Sequence, residues 1–151
     1  MIVISSKLRA VIEQYYPLLK AVDDKEFSSK PNPEKWSKKE ELGHLIDSAQ
    51  NNIQRFIRVQ YEEQVHIMYH PDNWVMRNDY QHKETKDVIE LWYLLNKQII
   101  SILEKMPADK YDALMCFSKD ATIRHSVEFV AEDYVQHLTH HLESIVKDKE
   151  G

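Results

Sequence analysis

Four stretches of this chain repeat apolar residues every three or four positions, the period of one helix face. In the first, roughly residues 5–22, Leu8, Val11, Ile12, Tyr15, Leu18, Leu19 and Val22 form a single stripe. Pro17 lies inside it and removes one backbone donor, so a kink is predicted there, with the helix continuing beyond. Residues 27–33 read as a loop, because Pro31 and Pro33 each hold the preceding residue away from helical angles. The second helix opens on Ser37, with Glu40 three residues on, the pair that forms a capping box. Its stripe of Leu42, Leu45, Ile46, Ala49, Ile53, Phe56 and Ile57 carries it to about residue 60.

The third helix covers about residues 85–106, ending before Pro107, with Val88, Leu91, Trp92, Leu95, Ile99, Ile102 and Leu103 on its core face. The fourth covers about residues 126–147, with Val127, Val130, Tyr134, Leu138, Leu142 and Ile145 inward. Four such helices predict an all-α fold, a four-helix bundle forming one domain over residues 1–151. A long connection between its second and third helices, residues 61–83, lacks sustained periodicity. Loops beyond about 12–15 residues tend to be functional or disordered. Tyr69, His70, Trp74 and Tyr80 make this one too aromatic for disorder, so it is expected to be an ordered cover over one bundle end.

Composition then removes whole classes of function. Acidic residues outnumber basic ones 25 to 20, and the basic residues are scattered, which argues against a nucleic-acid partner. No apolar run approaches the roughly 20 residues of a membrane span, and the opening Met1 to Ser5 is too short for a leader. Cys116 stands alone, which rules out an intrachain disulfide and fits a reducing cytoplasm. Gly43 and Gly151 are the only glycines, so no P-loop, dinucleotide fingerprint or nucleophile elbow exists.

The chemistry that remains is histidine. His137 and His141 lie four apart on the flank of the fourth helix, with Asp133 one turn before them, while His140 points away. They are not a zincin motif, because Leu138 stands where that motif needs glutamate. From this helix alone, a metal-gripping pair and two half-buried, hydrogen-bonded histidines are alternatives. His44, after Gly43, falls almost opposite the apolar stripe, beside Asp47, Ser48, Asn51 and Arg55. That row is either a solvated face or the wall of a polar cleft. A mid-helix glycine costs about 1 kcal/mol against alanine and permits close approach, which favours the cleft. A di-iron site is excluded: Glu41 with His44 and Glu63 with His66 both match its motif, but on one helix they would lie roughly 33 Å apart.

The residues Trp36, Ser37, Glu40, His44, Asp47 and Ser48, in this spacing, resemble the opening signature of the DinB-like family of metal-binding four-helix bundles. Asp133, Tyr134, His137 and His141 resemble its closing helix, and Asp72, Trp74 and Tyr80 its intervening loop, so the resemblance covers nearly the whole chain. It implies that His44, His137 and His141 bind one divalent metal ion, zinc or nickel, with positions left open. No such implication extends to His66, His70, His82, His125 or His140. Asp47 or Asp133 is either an acceptor behind a ligand imidazole or an ordinary helix-face or capping carboxylate. Trp36 and Trp74 are expected to pack, Trp74 being also a candidate pocket wall. Arg55 or Arg58 either meets an anionic substrate group or is an ordinary surface arginine. The family's activities imply a transferase moving a low-molecular-weight thiol onto a small electrophile. A metal-dependent hydrolase and a non-catalytic metal- or ligand-binding stress protein are the alternatives. A homodimer is implied by the same analogy.

Overall fold

Each of the four apolar stripes forms one long helix in the computed structural model, which describes residues 1–147. Residues 148–151, the end of the predicted domain with Gly151 among them, lie outside the described residues. The helices are α1 (Ile2–Ala21), α2 (Asp24–Ser28), α3 (Lys38–Arg58), α4 (Pro71–Asn78), α5 (Thr85–Lys105) and α6 (Val127–Val146). α1 runs through Pro17, as its stripe does. The start of α3 is the predicted capping box. Ser37 Oγ accepts from the Glu40 amide at 3.1 Å, and Glu40 Oε1 accepts from the Ser37 amide at 3.1 Å. Ser126 caps α6 with its side chain alone, accepting from the Phe129 amide.

α1, α3, α5 and α6 form the four-helix bundle. α5 and α6 each pack against both α1 and α3, so neighbours around the bundle run α1, α5, α3, α6. The chain therefore crosses the bundle between α1 and α3, and again between α5 and α6. Leu8, Leu42, Phe56, Trp92, Leu103 and Leu142 are fully buried between the helices, each contributing about 1.5–3 kcal/mol by leaving water. The stripes were wider than the faces actually covered: Leu18, Ile57 and Leu91 lie at their edges and remain exposed. No helix among the described residues is long and apolar enough to cross a membrane.

A small three-stranded sheet is the feature that the helical pattern does not announce. β1 (Val65–His66) pairs parallel with β2 (Leu114–Cys116), which pairs antiparallel with β3 (His125–Ser126). It fastens the two long connections to each other, with Val65 opposite Met115 and Met115 opposite His125. The free Cys116 is buried there.

The connection between α3 and α5 is ordered, as expected, and its order is specific. Asp79 ends α4 in the left-handed region, at φ 52° and ψ 50°, a conformation Asp adopts more readily than most residues. That turn delivers Tyr80 onto α3, where its ring lies against Gly43. A Cβ on Gly43 would stand 2.1 Å from Tyr80 Cδ2. Close approach is thus the reason for a glycine inside this helix. The Tyr80 hydroxyl donates to Asp47 Oδ1 at 2.6 Å, and Asn78 Nδ2 donates to the same oxygen at 3.0 Å.

Candidate metal centre

One face of α3 carries His44, Asp47, Ser48, Asn51, Asn52 and Arg55, and every one of them is buried. Of the two readings the sequence left open, the polar cleft is correct. The face is covered by α6 on one side and by the α3–α5 connection on the other.

The cover brings His44 against the α6 pair. Ring centroids are 5.3 Å apart for His44 and His137, 5.0 Å for His44 and His141, and 4.5 Å for His137 and His141. One ring nitrogen from each lies within 4.8 Å of the other two. His140 is exposed, as its position on the wheel predicts. Of the remaining histidines, His70 is exposed before α4 and the other three are occupied elsewhere. His66 Nε2 meets Ser118 O, His82 Nδ1 meets Asp79, and His125 stacks on Phe129.

A carboxylate fixes the orientation of one imidazole. Glu41 Oε1 lies 3.0 Å from His141 Nδ1. Because an ionised carboxylate only accepts, the hydrogen belongs on Nδ1 and the lone pair on Nε2. That Nε2 faces His137 Nε2 at 3.1 Å. Nitrogens sharing a tetrahedral ion at about 2.0–2.1 Å would stand about 3.3 Å apart, so the pair is already near ligand spacing. His44 Nδ1 is buried with no hydrogen-bond partner, and such an atom ordinarily has one. These observations fit a divalent cation, and three neutral imidazoles are a suitable donor set for one.

The electrostatics point the same way. Burial first, and then the neighbouring His141 and His137, push His44 down to about 4. His137 is lowered by burial and by His141, with Asp133 pulling in the opposite direction. Both rings are therefore uncharged near pH 7 and free to donate lone pairs.

Of the two carboxylates offered as acceptors behind the histidines, neither hydrogen-bonds to any of the three rings, which favours the ordinary-carboxylate alternative. Asp47 turns its Oδ1 toward Tyr80 and Asn78, so it anchors the connection and hydrogen-bonds to none of the three imidazoles. Its burial outweighs those two hydrogen bonds and pushes it up to about 6. Asp133 acts on His137 through its charge alone. The acceptor is Glu41, one turn before His44. Its sequence signal was present in the Glu-x-x-His pattern, but its partner lies 100 residues away.

A cavity of about 260 Å³ opens beside the histidines, lined by His44, Ser48, Asn52, Arg55, Tyr69, Pro71, Phe117, Val130, Asp133, Tyr134 and His137. Trp36 packs on His44 with ring centroids 5.0 Å apart. Trp74 stands behind Tyr69 and does not line the cavity. The two arginines of α3 separate: Arg58 is paired with Glu62 at the surface, while Arg55 is buried against the cavity.

Comparison with known proteins places this arrangement. The family model described as the DinB superfamily matches residues 7–145. No curated protein matches the chain. Among solved structures, it resembles YfiT from Bacillus subtilis, described as "a probable metal-dependent hydrolase with an unusual four-helix bundle topology". The TM-score is 0.82 at 20% identity, covering 94% of this chain and 81% of that one. At that identity the likeness speaks for the fold.

Proposed function

The chain belongs to the DinB superfamily, and we propose that it is a metal-dependent enzyme joining a small thiol to an electrophile, with His44, His137 and His141 as the ligands of one divalent ion. The observation that carries this reading is the convergence of three imidazole nitrogens within 4.8 Å at the wall of a cavity of small-molecule size. When bound there, a zinc or nickel ion supplies Lewis acidity that brings a thiol or a water toward its conjugate base near neutral pH.

The chain's own groups support this chemistry. Glu41 accepts the Nδ1 hydrogen of His141 and so keeps Nε2 available as a donor atom. Tyr69, Phe117, Val130 and Tyr134 contribute aromatic and aliphatic surface to the cavity wall. Either a thiol or a water would come within reach of ionisation near neutral pH on such an ion. The thiol reading is supported by the aromatic and aliphatic side chains on the cavity wall, which suit a soft, weakly hydrated nucleophile.

The competing reading is a metal-dependent hydrolase using the same three ligands, favoured by the description of the YfiT fold neighbour. Assaying a monohalobimane against a panel of low-molecular-weight thiols, with and without added metal, separates the two. Metal-stimulated conjugation with at least one thiol is expected. Ester or amide hydrolysis that needs no thiol would favour the hydrolase instead.

A further inference from the structure

Arg55 is 6% exposed, and among the described residues none of its hydrogen-bond partners is a carboxylate. Its Nε and Nη2 both donate to the Ile67 carbonyl, at 3.2 and 2.7 Å, and its Nη1 donates to Asn52 Oδ1 at 3.3 Å. A guanidinium carries five N–H groups, so one remains on each of Nη1 and Nη2. The chain's other paired arginines differ: Arg9 meets Glu104 and Arg58 meets Glu62, both near solvent. A cation removed from water and met only by neutral acceptors is electrostatically incomplete.

The surroundings of the guanidinium are those of a binding wall. It lines the same cavity as His44 and His137, beside Ser48, Asn52 and Tyr69. Its central carbon lies 5.5 Å from the centroid of the Phe117 ring, which fixes one flank. Asp133 also borders this cavity, yet its charge acts on His137, and the groups that act on Arg55 are Tyr69 and Cys116. Among the described residues Arg55 makes no ion pair with Asp133.

We propose that Arg55 makes one wall of the cavity a carboxylate-binding subsite, so that the substrate held beside the three histidines is a small molecule bearing a carboxylate. This deepens the metal-dependent reading above and rests on it for the identity of the reacting end. The two free N–H groups supply charge-assisted hydrogen bonds to the carboxylate, and the anion completes the charge balance of the buried cation. The Ile67 carbonyl and Asn52 hold the guanidinium plane in place beforehand. A merely structural Arg55 would clamp the end of β1 to α3 and show no preference among ligands.

Benzoate and its neutral isostere benzamide distinguish the two roles. Each is titrated into the full chain, once with its metal and once after chelator treatment, with binding read by calorimetry and by the Arg55 Nε–Hε resonance. Benzoate is expected to bind at least about tenfold more tightly than benzamide in both preparations, and to shift that resonance. In Arg55→Met the preference should fall to about unity, and Arg55→Lys should retain part of it. Equal affinities in the wild-type chain, or a preference that survives in Arg55→Met, would overturn the proposal. If Arg55→Met fails to fold, a wild-type Arg55 resonance unmoved at saturating benzoate overturns it equally. Because the chelated chain is tested directly, a failure of metal binding leaves this result readable. A chain that binds metal without preferring benzoate refutes the subsite alone.

Discussion

Glu41 Oε1 receives the Nδ1 hydrogen of His141 at 3.0 Å, a contact that joins α3 to α6 and directs the opposite ring nitrogen at His137. Acceptors of this kind typically contribute 10–100-fold in metal affinity. Glu41→Gln keeps the side-chain length and removes the charge, so metal affinity should fall by about that factor. Competition with a chromophoric chelator measures it, while far-UV circular dichroism should show the helices unchanged.

Gly43 is a packing requirement. Alanine would ordinarily gain about 1 kcal/mol in a helix interior, yet its Cβ would stand 2.1 Å from Tyr80 Cδ2 and 2.4 Å from Cγ. Tyr80 has little freedom to withdraw, because it is buried and its hydroxyl is held by Asp47. Gly43→Ala should therefore destabilise the protein by about 1–3 kcal/mol, measured by urea unfolding. Unchanged or raised stability would mean that Tyr80 does not rest on α3.

His44 and Asp47 give the metal-free protein two opposing pH dependences over nearly one window. His44 falls from an ordinary 6.5 to about 4 on folding, so the unfolded chain takes up its proton first. Its contribution is intact above pH 6.5 and is lost as pH falls toward 4. Asp47 rises from 3.8 to about 6, so its contribution is intact below pH 3.8 and is lost as pH rises toward 6. Each amounts to something on the order of 3 kcal/mol. The wild-type profile between pH 4 and 6 should accordingly be shallow. Asp47→Asn should lose stability on acidification and His44→Asn should gain it, as followed by chemical denaturation at a series of pH values.

The helices were legible because Leu, Ile and Val at three- and four-residue spacing leave little alternative, and because Ser37 with Glu40 announces a start. The strands were not, since segments of two or three residues are too short to show alternation. The site was half legible. The spacing of His137 and His141 speaks from the sequence. His44 does not, because its face of α3 is buried by α6 and by the connection carrying Tyr80, and a helical wheel holds no information about either. Glu41 was obscured for the same reason, and Arg55, though offered with Arg58 for an anionic group, could not be told from Arg58 until a distant segment closed over it.

The most direct test of the central claim is elemental analysis of the full chain purified without a histidine tag and incubated with zinc or nickel. About one divalent ion per chain is expected in the wild type, with most of it lost in His44→Ala, the substitution farthest in sequence from the α6 pair. A wild-type chain that remains metal-free, or a His44→Ala chain that keeps its full complement, would contradict the three-histidine centre.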